Sequence, residues 1–571
     1  MIAASFPMRG LPSAACCLLA LGWGAACASG SPSTERRVEL LSPPEGGEVQ
    51  GTVILRARVT PHQSANRLVF AVDGATVAQW DGAFPGPEMS IDWDTTAVAN
   101  GIHEVTATVR WNDGQELRSG HLVVVANASS GIRIAEPLGE IFREDPSFTA
   151  VVELDDARDV ERLRLSVDGE TVQTIEPVVR ERFVLEVSTE MLGLMPERET
   201  LELRATAERT DGLVLEARRA LRVVSRQLWR FETLGAVWVP PEPLGDGAVA
   251  VLTDQGTLHV VEGDGTERCS VRADGERGIG APRALPGTSL IAWGTTRALR
   301  ITDASDCSER YRDALAGEFS SRPLARADGS VAAVTVTGTL LLVRPDGSGR
   351  QTVDLSASVS GGSALEVWSA PVEAGDGTVF VAGQLGSGGV LFAVAPDGSV
   401  RSEALTSGVR GGLLSWNGSL YFGGATDGST YAYGLDLRRR WVAPGADAAE
   451  VKVTPAPLAG ALVTGNGVAT VLGLDPADGR ERWRYDAGLG ASAALPILGA
   501  AGFRSDEAGN HVAFGDALGT LHVLGPEGRL VFRAQVADGS MGRGIVAAPA
   551  IDEDRLYVGL EEQALLAFRL R

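Results

Sequence analysis

Cysteine, histidine and lysine are all scarce in this 571-residue chain, which carries five cysteines and six histidines. No Cys-x-x-Cys or Cys/His cluster occurs, which argues against a structural zinc site. A Gly-x-Ser-x-Gly elbow, a phosphate-binding loop and a His-Glu-x-x-His pair are missing as well. Apart from the triplet Arg438-Arg439-Arg440 basic runs are lacking, and the formal net charge is −22. Phosphate backbones would be repelled, so nucleic acid is excluded as a partner. An anionic membrane surface attracts such a chain only through an anchor. Beyond the N-terminal segment no apolar run is long enough to cross a bilayer as a helix. Glycine, in contrast, is plentiful at 70 residues, as expected where tight turns join many short strands. The length implies several domains rather than one core.

Residues 1–26 combine one positive charge, Arg9, with an apolar run from Ala14 to Ala26, and Cys27 follows. Gly24, Ala25 and Ala26 before Cys27 resemble a bacterial lipobox, with Gly24 standing where that motif prefers Leu. The resemblance implies a lipoprotein signal peptide over 1–26, acylation of Cys27 as the membrane attachment, and a polar tether over 27–37. Ala28 after the Cys implies sorting to the outer membrane in two-membrane bacteria. The alternative is an ordinary secretory signal cut after Ala28. Cys269 and Cys307 are then the cysteines left outside the N-terminal segment. Export allows a disulfide, but sequence does not supply the Cα separation, so a bridge and two buried free thiols both stay open.

Residues 38–127 alternate polar and apolar positions in short runs such as TVILRARVT, RLVFAVDGATVAQW and HEVTATVRW. Residues 131–225 echo them: Val72-Asp73-Gly74 is matched by Val167-Asp168-Gly169, and VELLSPPEGGEV by IRIAEPLGEIF. Six or seven period-2 strands per copy predict tandem β-sandwiches, with one helix-like piece at Thr189 to Leu194. The first copy resembles bacterial immunoglobulin-like domains in Pro43 to Gly47, Val-Asp-Gly and Trp93-Asp94-Thr95-Thr96, while the second has lost the Trp-Asp-Thr-Thr element. Such modules imply spacers or adhesive units.

From 228 to 571 the chain repeats every 39–53 residues, with starts near Pro243, Pro282, Pro323, Pro371, Arg410, Pro457, Pro496 and Pro549. Eight units of several short strands predict an eight-bladed β-propeller. The last unit has three strands, and Leu228-Trp229-Arg230-Phe231 matches the outgoing Arg482-Trp483-Arg484-Tyr485 of the sixth. Leu228 to Thr233 is therefore expected to complete the last blade and close the ring, leaving no open edge. Leu474-Asp475 through Gly479 to Trp483, and in part Leu435-Asp436 with Trp441, resemble the repeat of quinoprotein-type propellers. That family docks its Trp between blades, and units one to three have largely lost it.

Quinoprotein enzymes hold pyrroloquinoline quinone and calcium with long insertions and often an adjacent Cys pair. Repeats this short leave no room for insertions, and the adjacent pair Cys16-Cys17 lies in the signal. No cofactor, catalytic residue or metal ligand is therefore expected. The pairs Asp264-Gly265, Asp346-Gly347, Asp397-Gly398 and Asp427-Gly428 lack the spacing of a calcium loop and are read as two-residue hairpin turns. His62, His103, His121, His259, His511 and His522 are scattered, and His259 and His522 share a repeat position in Gly-Thr-Leu-His-Val. Arg438-Arg439-Arg440 is read as a solvated turn.

The expectation is an all-β protein: two Ig-like β-sandwiches followed by an eight-bladed propeller closed by its own N-terminal strand. It is read as a non-catalytic envelope lipoprotein that binds one or more envelope proteins, facing the periplasm or the surface. The repeats are similar to those of the propeller lipoproteins of the outer-membrane barrel-assembly machinery, which makes barrel assembly a specific variant. A quinone-dependent dehydrogenase, and a surface adhesin that binds glycans, are the alternatives.

Overall fold

The computed structural model describes residues 36–98, 100–125, 127, 131–190, 192–193, 198–314, 317–319, 321–359, 364–445, 454–465, 470–487, 504–505, 509–516, 518–537 and 544–570. Within them the protein is all-β, and its helical segments are single 3-10 turns. The chain divides into two compact units, Met1–Asn127 and Ala128–Arg571.

The first unit is a β-sandwich. Strands Arg37–Ser42, Thr52–Thr60 and Glu88–Asp94 form one sheet. Ala65–Val72, Ala75–Asp81, Asn100–Trp111 and Glu116–Val125 pair in the other. Alternation does what the sequence pattern requires: Leu55, Ala57 and Val59 are buried while Ile54, Arg56 and Arg58 face outward. The Trp-Asp-Thr-Thr element has a local physical role. Trp93 enters the core, Asp94 accepts the Thr96 amide at 3.0 Å, and the fully buried Thr95 hydroxyl donates to the Gly51 carbonyl at 2.8 Å.

The second sandwich opens the second unit. It sets Ile132–Glu136, Ser147–Leu154 and Arg182–Ser188 against Val160–Val167, Glu170–Ile175, Thr200–Arg209 and Val214–Val224. Val-Asp-Gly acts identically in both copies. Asp73 (φ 48°) with Gly74 (φ 77°), and Asp168 (φ 48°) with Gly169 (φ 87°), are two-residue turns with both residues left-handed. Each Asp also accepts the amide of a neighbouring strand, Glu104 at 2.9 Å and Glu202 at 2.8 Å. Among the described residues each sandwich has eight strands rather than six or seven. The difference is Glu48–Val49 and Glu140–Phe142, which pair in parallel and are too short to show alternation. The described residues of the stretch from Thr189 to Leu194 are turn, not helix.

Beyond the second sandwich the described residues form eight successive antiparallel sheets, a propeller-like array. Sheets 1 to 8 span 242–272, 278–313, 324–354, 365–405, 414–443, 456–486, 504–535 and 550–569. Pro496 lies outside the described residues, and sheet 7 is described from Arg504–Ser505 onward. Second and third strands such as Val249–Leu252 and Thr257–Val261 are buried at every position, whereas no residue of the fourth, Glu267–Arg272, is buried. Burial on both faces explains the unbroken apolar runs. Strand Gln227–Glu232 pairs antiparallel with Ala564–Arg569 as the outer strand of sheet 8.

The Asp-Gly turns of this array differ from the two-residue type. Gly265, Gly347 and Gly398 donate to the carbonyls of Glu262, Arg344 and Ala395, while Asp264, Asp346 and Asp397 accept an amide two residues ahead. Only the glycine is left-handed here, so these are longer loops in which the Asp side chain closes the turn. Asp427 likewise accepts the Ser429 amide at 3.1 Å. Arg439 and Arg440 belong to strand Arg439–Ala443, so the arginine triplet is mostly outer strand and not turn; all three side chains are solvated.

Candidate functional site

Adjacent sheets interlock at one repeated position. In several outer strands the pairing register slips by one residue directly before a side chain that reaches the next sheet: Trp229, Cys269, Tyr311, Trp441 and Trp483. Such bulges re-aim a side chain. The rings of Trp229, Tyr311, Trp441 and Trp483 lie against Gly265, Gly347, Gly479 and Gly528, in the turn before the next sheet's outer strand. Trp229 and Trp441 also donate their indole N–H to the carbonyls of Gly263 and Pro476, at 2.9 and 3.0 Å. Tyr311 thus holds the place of the Trp missing from the second repeat.

At the seam between sheets 1 and 2 the same position is covalent. Cys269 is bonded to Cys307 of the next sheet's turn, with Cα atoms 5.8 Å apart. Sequence reasoning could not see this equivalence because it is carried by register, not residue type. Cys27 lies outside the described residues.

The connections between sheets shape one loop face. Four of them lay their backbone on the preceding sheet, the amides of Val237, Phe319, Val367 and Ile545 donating to the carbonyls of Leu560, Thr295, Val336 and Asp516 at 2.8–3.1 Å. The four side chains are fully buried. At two of these connections the next residue is a tryptophan turned outward. Trp238 and Trp368 are 40% and 41% exposed, at equivalent places in repeats 1 and 4. Arg277 from the next connection stacks over the Trp238 ring at 5.1 Å, and the Trp368 indole donates to Glu366 at 3.4 Å. Exposed tryptophans on a rigid frame are suited to anchoring a partner. Their exposure could not be read from sequence, where apolar residues in this region suggest core.

Two histidines serve the seams. His259 bonds Glu267 at 2.7 Å and accepts the Leu234 amide at 3.3 Å. His522 meets Asp516 at 3.3 Å and the Tyr485 hydroxyl at 3.1 Å, with Phe514 stacked on its ring. Both imidazoles are almost wholly buried. Burial pushes the Tyr485 phenol up. Asp516 is desolvated, yet the His522 bond and the Thr520 amide bring its carboxyl below the ordinary range. His103 bonds Asp73 in the first sandwich, and His121 bonds the Pro43 carbonyl. Among the described residues no group of three His, Cys, Asp or Glu side chains is placed to hold a metal ion.

Ion pairs cross the seams too. Arg350 reaches Asp313, Arg326 reaches Glu373, and Glu276 receives both Arg300 and Arg312 at 2.9 Å.

Comparison with known proteins gives one family match: the model of a bacterial Ig domain fits residues 37–107. No curated protein matches. Among solved structures, BamB from Moraxella catarrhalis is similar at 17% identity and a TM-score of 0.47, over 60% of this chain and 97% of that one. The computationally designed Ika8 protein is similar at 15% identity and a TM-score of 0.47, over 60% and 99%. The family match thus places a bacterial Ig-like domain at residues 37–107, ahead of the eight successive antiparallel sheets.

Proposed function

We propose that this protein is a non-catalytic lipoprotein of the bacterial envelope, anchored through Cys27, which presents a propeller as a protein-binding scaffold. In this reading the eight sheets are eight blades of quinoprotein-type repeat, closed into a ring by strand Gln227–Glu232. Support for closure comes from a core shared between the first and last sheets, with Val237, Val249 and Val251 packed among Ala550, Tyr557 and Leu565. The first strand of sheet 1 also adjoins the first strands of sheets 2 and 8.

The observation that carries the binding role is the pair Trp238 and Trp368, half-exposed at equivalent connections on one loop face. Large aromatic anchors on a pre-ordered frame supply binding energy at little entropic cost. Outer-membrane protein assembly is the specific variant that the repeat resemblance implies.

The test is affinity purification of a C-terminally tagged chain from gently solubilised membranes, with partners identified by mass spectrometry. Envelope proteins should be recovered with the unaltered chain and lost with Trp238→Ser/Trp368→Ser. Cys27→Ala should release the protein from membranes without abolishing capture by the purified chain. Barrel-assembly subunits among the captured proteins would support the assembly variant. Retained capture by the double Trp variant would refute the assigned face, and glycan binding without any protein partner would turn the reading to an adhesin.

A further inference from the structure

Three side chains from three successive sheets meet where the first strands adjoin. Glu242 lies in strand Glu242–Pro243 of sheet 1, Arg283 in Gly278–Ala284 of sheet 2, and Arg322 two residues before Leu324–Ala325 of sheet 3. Glu242 is 7% exposed. One of its oxygens accepts the Ala284 amide at 3.0 Å and faces the Arg283 guanidinium at 3.7 Å, while the other pairs with Arg322.

The charges do not balance. Among the described residues two guanidiniums stand against one carboxylate, which leaves one positive charge in a chain whose net charge is −22. Three other seam clusters are compensated: Arg350 has Asp313, Arg326 has Glu373 and Asp328, and Arg300 with Arg312 has Glu276 and Glu309. The Arg322 Nε–H is buried without an acceptor among the described residues. Arg283 keeps 36% of its side-chain surface accessible, and desolvation by the protein around it lowers its pKa. Partly desolvated guanidinium donors with no matching acceptor are costly to leave unmade and strong once paired.

We propose that Arg283 and Arg322 form a binding site for a single carboxylate group, supplied by an acidic polypeptide or by a free small carboxylic acid. A planar carboxylate matches the guanidinium fork at two points. One negative charge also neutralises the residual positive charge, whereas a phosphate dianion would leave an excess anion beside Glu242. The site rests on these three side chains and not on closure of the ring or on the tryptophan face.

The full chain would be titrated calorimetrically at low ionic strength with a tetraglutamate peptide and, separately, with glutarate. At least one probe should bind the unaltered protein. Arg283→Gln should weaken that binding by about tenfold or more, the worth of a charge-assisted hydrogen bond. Glu242→Gln should strengthen it, because both guanidiniums are then released to the probe. A variant that has merely lost its fold cannot bind more tightly, so the opposite signs separate a lost site from a lost structure. Preference for the peptide assigns the carboxylate to a polypeptide, and equal binding assigns it to a free acid. Absence of binding by both probes, or weakening by Glu242→Gln as well as by Arg283→Gln, overturns the proposal.

Discussion

Arg226 and Asp145 form a two-point ion pair, with Nε–H donating to Oδ1 at 2.6 Å and Nη2–H to Oδ2 at 3.0 Å. Asp145 belongs to the second sandwich, and Arg226 directly precedes the outer strand of sheet 8. The same guanidinium donates to the carbonyls of Arg569 and Leu570 at 3.2 Å and packs between the rings of Phe142 and Phe532. Phe532 stands on a register slip of its own outer strand, in the place of the seam side chains. The seam into sheet 8 is thus closed by the junction with the sandwich.

Removing one partner of a buried pair leaves an uncompensated charge, so Arg226→Met should cost about 3–5 kcal/mol. Burial already holds Asp145 above its ordinary value against the pull of Arg226. Without the arginine the carboxylate is disfavoured further, so the loss should be greatest at neutral pH and smaller in acid, where the group is protonated. Urea denaturation at both pH values measures it. The sandwich and the sheets should separate into two transitions in the variant.

Gly479 has φ +77°, and a Cβ there would stand 2.6 Å from the Trp441 ring. Gly398 has φ +84° with open space around it. Gly398→Ala should therefore cost only the left-handed strain of about 1–2 kcal/mol. Gly479→Ala should add about 1–3 kcal/mol for displacing the ring. Chemical denaturation of the two variants side by side isolates the seam contact.

The Cys269–Cys307 bond closes a loop with a sequence separation of 38. Reduction, or the paired change Cys269→Ala with Cys307→Gly, should lower stability by about 2–4 kcal/mol. Glycine is chosen at 307 because that residue has φ 57°. A thiol assay before and after reduction checks the bond itself.

Burial and the hydrogen bond to Asp313 push the Tyr311 phenol up to about 12. A raised phenol favours the folded state while it is protonated. Its contribution is fully present below the ordinary tyrosine value near 10 and is lost as the pH rises from there through about 12. Ultraviolet titration of tyrosinate should show this delay, and Asp313→Asn should reduce it.

Much of the architecture was legible because it is written in local, repeated chemistry. Alternation in Thr52–Thr60 reports one buried face, and runs such as Val249–Leu252 report two. The pairing partner of Gln227–Glu232 was readable from its likeness to the strand carrying Trp483. The turns were only half legible. Asp-Gly marks a turn in either setting, but whether Asp itself becomes left-handed, as at Asp73 and not at Asp264, depends on the strands it joins.

The sequence by itself determined the strands, the positions of the turns and the period, since these depend on residues a few positions apart. Tertiary structure alone decided which side chains share a job. Cys269, Tyr311 and Trp483 have nothing in common as residues, yet a one-step slip in strand register aims each at the next sheet. Glu242, Arg283 and Arg322 are likewise ordinary charges about 40 residues apart. Only the placing of three strands side by side leaves two guanidiniums on one carboxylate, because charge balance is a property of distance in space and not along the chain.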